Sequence, residues 1–266
     1  MSSTPSGIIT LTTDFGTSDH FVGVMKGVIL GIAPRARLVD ITHNITPFEV
    51  NEAAFAIAQA WRYFPKGTIH VVVVDPGVGS ERRPLLVEAG AHYFIGPDNG
   101  VFSMIYDAGP HKARAITNSK MMRAQVSRTF HGRDVFAPSA AHLVRKAPPA
   151  RFGKLVSDAV RSAELAPTRT ARNQWTGRVL KTDHFGNLIT NFHVDFFADV
   201  KTQPFELRVG LERIHRLALT YSETELNELF VIAGSSGYLE VAANQGDAAK
   251  ITGCSTGAPV ELEVPA

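Results

Sequence analysis

Thr68-Ile-His-Val-Val-Val-Val-Asp75 is the stretch on which the fold turns. It is short, mostly β-branched, and alternates on neither face. That texture predicts a central strand covered by helices on both sides. Its last residue, Asp75, begins a glycine-bearing turn, Asp75-Pro-Gly-Val-Gly-Ser-Glu-Arg82. Ligands usually gather at the carboxyl ends of strands in an open α/β sheet, so a polar turn here is a candidate site.

Working outward, strand-like and helix-like patterns alternate. Gly7–Thr13 reads as a strand, followed by a helix with Phe21, Val24, Met25, Val28, Ile29 and Ile32 on one face. Ser18 or Asp19 is placed to cap it, and Pro34 to close it. Arg37–Thr42 reads as a second strand and Asn51–Tyr63 as a helix with Ala54, Ile57, Ala58 and Trp61 inward. Strands near Pro84–Glu88 and His92–Ile95 and a helix over Arg133–Arg145 complete an α/β/α layered domain, its central sheet mostly parallel, over residues 1–165. The Pro-, Arg- and Thr-rich segment up to Asn173 ends as a linker. Short alternating strands then appear at Phe205–Val209, Ile214–Leu219, Tyr238–Val241 and Pro259–Val264, punctuated by glycines. They predict a small antiparallel, barrel-like β domain over 173–266.

Composition narrows the function. The 266 residues carry a formal net charge of +2, with basic residues in isolated pairs, which disfavours nucleic acid. Cys254 is the single cysteine, so neither a disulfide within the chain nor a cysteine metal cage is available. The start, MSSTPSGIITLTTDFG, has no basic segment and an apolar run broken by threonines, and no window suits a membrane span. A cytoplasmic protein is expected.

Several polar constellations follow predicted strands. Asp14 and Asp19 flank a turn and suit ribose hydroxyls or an ammonium, or simply fix the turn and the helix start. Asp75 and Arg82 can fold into a pair across their turn, which lacks the third glycine of a dinucleotide fingerprint and the Lys-Ser/Thr of a P-loop. His131, in Thr129-Phe-His-Gly-Arg-Asp134, has no partner at metal-ligand spacing, so no metal or other cofactor is expected, although a metal phosphohydrolase remains a rival. In the β domain, Asp183-His-Phe-Gly-Asn-Leu-Ile-Thr-Asn191 offers a carboxylate, amides and Phe185 for stacking, or is a hairpin loop.

Taken in order, LTTDFG at 11–16, DPGVG at 75–79, IGPDNGVFS at 95–103, TFHGRD at 129–134, DHFGNLITN at 183–191 and SSGYLEVAANQG at 235–246 resemble the S-adenosylmethionine hydroxide adenosyltransferase family, relatives of fluorinase and chlorinase. The resemblance implies hydrolysis of S-adenosyl-L-methionine to adenosine and methionine, in a homotrimer with each site between one subunit's N-terminal and its neighbour's C-terminal domain. By position it gives Asp14 to the ribose and Asp19, Asp183 and Ser235 to the methionine end. Phe185, Asn187 and the backbone of Ala243–Gln245 fall to the adenine, and Phe48 to the wall at C5′. Asp75, Arg82 and His131 match the set that marks the hydroxide-using members. Where fluorinases carry tyrosine and a halide-binding serine, this chain has Asp75 and Gly132, and it lacks their extra loop. Chlorinases share that glycine, so halide-dependent transfer and a non-catalytic nucleoside sensor stay open as alternatives.

Overall fold

The computed structural model describes residues 4–264, so Met1 to Ser3 of the leader reading lie outside the described residues. The chain divides into two compact units, 1–162 and 163–266.

The first unit is built on a seven-stranded sheet. Its strands are β1 (Ile8–Thr13), β2 (Arg37–Thr42), β3 (Ile69–Val73), β4 (Pro84–Ala89), β5 (His92–Pro97), β6 (His111–Ala115) and β7 (Leu155–Val156), in the order β2-β1-β3-β5-β4-β6-β7. The run that opened the sequence reading is β3. It lies near the centre, between β1 and β5 and parallel to both, with all five residues buried. Helices α1 (Phe21–Ile32), α2 (Val50–Ala60), α3 (Ser103–Asp107) and α4 (Ala137–Val144) cover it, and two separate apolar clusters form. One packs Met25 and Ile29 of α1 with α4, and the other packs Ala53 and Ile57 of α2 with Phe94 and Phe102.

The sheet is mixed rather than mostly parallel. β4 runs antiparallel to both β5 and β6, and β7 antiparallel to β6. The cause is the tight turn between β4 and β5, where Gly90 and Ala91 both take positive φ, 54° and 65°. That pair of conformations is what a two-residue hairpin needs.

Smaller details also depart from the periodicity. On α1 Phe21 is 36% exposed and Val22 is buried in its place. Neither Ser18 nor Asp19 caps that helix; His20 holds the position without a side-chain hydrogen bond and packs its ring on Phe21, 4.7 Å between centroids. On α2 Ala58 is only half-buried, while Ala53 and Phe55 are buried, and Trp61 lies in the 3-10 turn beyond the helix. The predicted helix over 133–145 starts as a π-turn, Gly132–Phe136, before α4.

The second unit carries its own nine-stranded sheet. It comprises β8 (Thr168–Ala171), β9 (Gln174–Thr182), β10 (Leu188–His193), β11 (Glu206–Val209), β12 (Glu212–Ile214), β13 (Leu217–Ala218), β14 (Leu229–Ala233), β15 (Tyr238–Ala243) and β16 (Pro259–Glu263), with α5 (Ala248–Thr252) before the last strand. The path β12-β11-β16-β9-β10-β15-β14-β13 curls so that β12 comes near β14. Every pairing between named strands is antiparallel except β13 with β14, which is parallel over two residues. The segment read as a linker contributes β8, paired with β9. Inside the curl, Phe192, Leu207, Val231, Val241, Val260 and Leu262 form the main core of this unit.

Candidate active site

The first unit presents its polar groups where β1 and β3 end, and the turn that follows Val74 carries the most ordered of them. Arg82 reaches back to Asp75 with a two-pronged bond: Nε donates to Oδ1 at 2.9 Å and Nη2 donates to Oδ2. The same Nη2 meets Nδ1 of His131 at 2.7 Å. Beneath, the guanidinium lies over the ring of fully buried Phe136, 5.2 Å from its centroid. Arg82 and Asp75 side chains are only 9% and 5% exposed. Three constraints therefore fix the guanidinium plane: a carboxylate, an imidazole and an aromatic face. The turn can be this tight because Gly79 has φ 79° and a Cβ there would run into the Arg128 carbonyl.

Arginine cannot give up a proton at ordinary pH, so the His131 Nδ1 facing it must be the acceptor and the ring must be neutral. Burial, reinforced by the Arg82 charge, pushes the His131 pKa below its ordinary value, against the opposing pull of Asp75, Asp134 and a hydrogen bond to the Ser127 backbone. The third guanidinium nitrogen, Nη1, is buried and has no hydrogen-bond partner among the described residues. A buried donor in that state is an opening for an oxygen ligand.

Asp14 ends β1's loop beside this group. Its Oδ2 accepts the Phe48 backbone N–H at 3.0 Å. Burial raises its pKa, with a smaller push from the Asp75 charge. Phe48 is 70% exposed and holds φ 70°, a strained setting for a bulky residue. Asp19 is exposed just ahead of α1. The structure thus gathers Asp14, Asp75, Arg82 and His131, and sets Phe48 at their edge.

In the second unit the loop after β9 folds around Asp183. Its Oδ1 accepts the backbone N–H of Phe185 and of Asn187, each at 2.9 Å, and its Oδ2 accepts Asn187 Nδ2 at 2.8 Å. A carboxylate has about four acceptor positions, so roughly one is left for a ligand. Asn187 is buried, while Phe185 stands 74% exposed. Gly186 between them has φ 87°, and a Cβ there would strike Asp247. Ser235 and Gln245 are exposed, the latter with φ 52°. Ala243 turns its methyl into the core, and its carbonyl already accepts from Gly246 at 3.2 Å.

Two acids escaped the sequence reading. Glu240 is buried on β15, bonds Ser236 and Tyr221, and burial raises its pKa with help from the Asp183 charge. Its period-two position beside inward Leu239 and Val241 was the available signal. Asp134 was quoted with its motif but given no role, and it is fully buried. Among the described residues no group of three or more His, Cys, Asp or Glu is arranged to hold a metal ion, and no helix is long and apolar enough to cross a membrane.

Comparison with known proteins agrees over both units. Residues 9–153 match the SAM hydroxide adenosyltransferase N-terminal domain and 177–261 the C-terminal domain. A protein of Salinispora tropica named (R)-S-adenosyl-L-methionine hydrolase is 37% identical, over 95% of this chain and 96% of its own. One of the same name from Thermus thermophilus is 35% identical over 94% and 97%. A fluorinase from an Actinoplanes strain is more distant, 28% identical over 89% and 91%. The crystal structure of an uncharacterized conserved protein from Thermotoga maritima superposes with a TM-score of 0.86 at 34% identity, covering 96% of this chain and 99% of that one.

Proposed function

The chain belongs to the SAM hydroxide adenosyltransferase family, and from that premise we propose that it is an enzyme that hydrolyses S-adenosyl-L-methionine to adenosine and L-methionine, water or hydroxide displacing the thioether at the ribose C5′. The relatives' names specify the R form, and we take the R sulfonium epimer as the substrate here. The observation that carries the reading is the buried, immobilised Arg82 with one donor arm open.

The leaving group departs as a neutral thioether, so it needs no acid. Hydroxide approaching a sulfonium cancels charge, and a dry site favours that over separated ions. The obstacle is the nucleophile, since free water has a pKa of about 15.7. In our reading Arg82 Nη1 receives the oxygen nucleophile while Nε and Nη2, tied to Asp75 and His131, prevent rotation. Arg82 has no lone pair with which to take a proton, so in this scheme the proton of water passes to the Asp75 carboxylate or the His131 imidazole that flank it.

The remaining contacts follow the same assignment. Asp14 takes the ribose hydroxyls, with Phe48 against the C5′ side. Asp19, Asp183 and Ser235 meet the methionine end; Phe185 stacks on adenine, and Asn187 with the Ala243–Gln245 backbone reads its edge. We further propose a cytoplasmic homotrimer that supplies both sets of contacts to each substrate from neighbouring subunits.

Incubation with S-adenosylmethionine in water enriched in heavy oxygen tests the reaction, run separately with the R and S epimers. Label in the adenosine 5′-hydroxyl is expected. Formation of 5′-chloroadenosine in chloride buffer, or tight binding with no turnover of either epimer, would overturn it.

A further inference from the structure

The loop that carries Asp75 and Arg82 is open to solvent in its middle and tied down at its two ends. Pro76, Gly79, Ser80 and Glu81 are exposed. Its internal backbone bonds are local: the Val78 N–H donates to the Asp75 carbonyl and the Ser80 N–H to the Gly77 carbonyl, each at 3.1 Å. Two consecutive residues just beyond β5, Asp98 and Asn99, hold the points where the loop leaves and rejoins the sheet.

Asn99 holds the entry. β3 pairs with β5 as far as Val71 and Ile95, and Pro97 has no N–H with which to carry the ladder on. Val74 is fully buried beyond that point, and its carbonyl still needs a donor. Asn99 Nδ2 supplies one at 2.9 Å, while Asn99 Oδ1 accepts the Val101 N–H at 3.3 Å. One contact demands the amide nitrogen and the other the oxygen, so the side chain can point only one way.

Asp98 holds the exit. Its N–H donates to the Arg83 carbonyl at 2.8 Å, one step past the Pro84–Pro97 end of the β4–β5 ladder. Its side chain, 3% exposed, accepts Arg83 Nε on Oδ2 at 2.8 Å and the Val160 N–H on Oδ1 at 2.8 Å. The residues immediately before Asp75 and immediately after Arg82 are thus gripped by neighbours in the chain. The bond between Asp75 and Arg82 sets those two side chains against each other, and His131 and Phe136 meet the guanidinium from a different segment. Where the loop's backbone stands on the sheet is a separate matter, and it is settled at Val74 and Arg83.

We propose that Asp98 and Asn99 are positioning residues, a two-point clamp on Val74 and Arg83 that holds the Asp75–Arg82 pair at the depth where Arg82 Nη1 meets the nucleophile. The inference rests on the proposed hydrolysis for its effect on turnover, whereas the clamp itself belongs to the protein without substrate.

Asn99→Asp tests it, because the variant keeps the acceptor for Val101 and sets an oxygen against the Val74 carbonyl in place of the donor. It should lower kcat about 10²-fold, the scale of an active-site misplacement of around 1 Å, with KM changed less than about threefold. In nitrogen–proton NMR without substrate, its Arg82 Nε–H should exchange with water faster than in the wild type. Asp158→Ala removes the exposed partner of Arg83 and leaves Asp98 in place, so it should match the wild type in both readouts. One Asn99 side-chain N–H of the wild type should be protected from exchange; if both exchange freely, the proposal fails even where Asn99→Asp does not fold. Where the wild type is active, a folded Asn99→Asp with wild-type kcat overturns it too, as does an Asp158→Ala equally impaired. A wild type that turns over no substrate, with Arg82 loosened in Asn99→Asp, refutes the hydrolase reading and leaves the clamp intact.

Discussion

Phe48 donates its backbone N–H to Asp14 across 34 residues of sequence, at 3.0 Å, and does so from a left-handed conformation with φ 70°. The bond ties a strained backbone to the carboxylate that we assign to the ribose. Left-handed backbone costs a bulky residue about 1 kcal/mol or more. Phe48→Gly should therefore keep or slightly raise the melting temperature while raising KM for S-adenosylmethionine. A lower melting temperature with unchanged KM would remove Phe48 from the substrate wall.

Asp14 is an acid whose folded pKa is raised, chiefly by burial. The folded state then prefers the protonated form, so its contribution to stability is complete at pH below the ordinary carboxylate range and declines as pH rises through the folded pKa. Asp14→Asn should accordingly melt higher than wild type at neutral pH, with the gap closing toward pH 3. Calorimetric titration should show the same variant binding substrate more weakly. Equal melting at neutral pH together with equal affinity would contradict both assignments.

Breaking the Asp75–Arg82 pair is expected to affect stability as well as rate. Removing one partner of a buried ion pair leaves the other uncompensated, a loss of about 3–5 kcal/mol. Arg82→Ala should show this in denaturant unfolding. Asp75→Ala and His131→Ala should each lower kcat by about 10²–10⁴-fold, the usual range for lost proton transfer, with substrate affinity near normal. Full activity in both would take the triad out of the reaction.

His131 has its pKa depressed by burial and by Arg82. For a histidine shifted this way, the stabilising contribution is present above the unfolded pKa, about 6.5, and is lost as pH falls through the folded value. If the neutral ring is the working form, the acid limb of kcat must lie below about pH 6.5. A limb above that point, traced in a pH–rate profile, would mean that the imidazolium acts instead.

By the resemblance, Gly132 falls where fluorinases carry a halide-binding serine. A Cβ there would meet Met25 Sδ at 3.1 Å, Phe130 at 3.3 Å and Phe15 at 3.4 Å, so these side chains would have to give by a few tenths of an ångström. Gly132→Ser is expected to destabilise by about 1–3 kcal/mol, as overpacking does, without creating a chloride site. Chromatography of products in high chloride should show no 5′-chloroadenosine; its appearance would show that the glycine alone had excluded halide.

What the sequence made legible were features carried by neighbours in the chain. The Val71–Val74 run announced a buried strand, and a spacing of seven residues announced the Asp75–Arg82 pair. The meeting of Arg82 with His131 spans 49 residues, and no spacing rule reaches that far. It entered only through resemblance. Strand direction was hidden for a different reason. Apolar β-branched texture reports burial, whereas direction is set by the Gly90-Ala91 turn, whose two positive φ values no residue type there demanded. The burial of Asp134 was hidden as well, because an acid next to Arg133 in sequence reads as a solvated surface until its complete burial is seen.

Each unit keeps its own apolar interior: among the described residues, none numbered above 162 enters the two clusters around the first sheet, and none below 163 enters that inside the curled sheet. A chain so partitioned is divisible. Two separately expressed halves, severed near Ala163, carry complete interiors and should each refold alone, and mixing them offers a complementation assay in which a damaged half is replaced without touching the other.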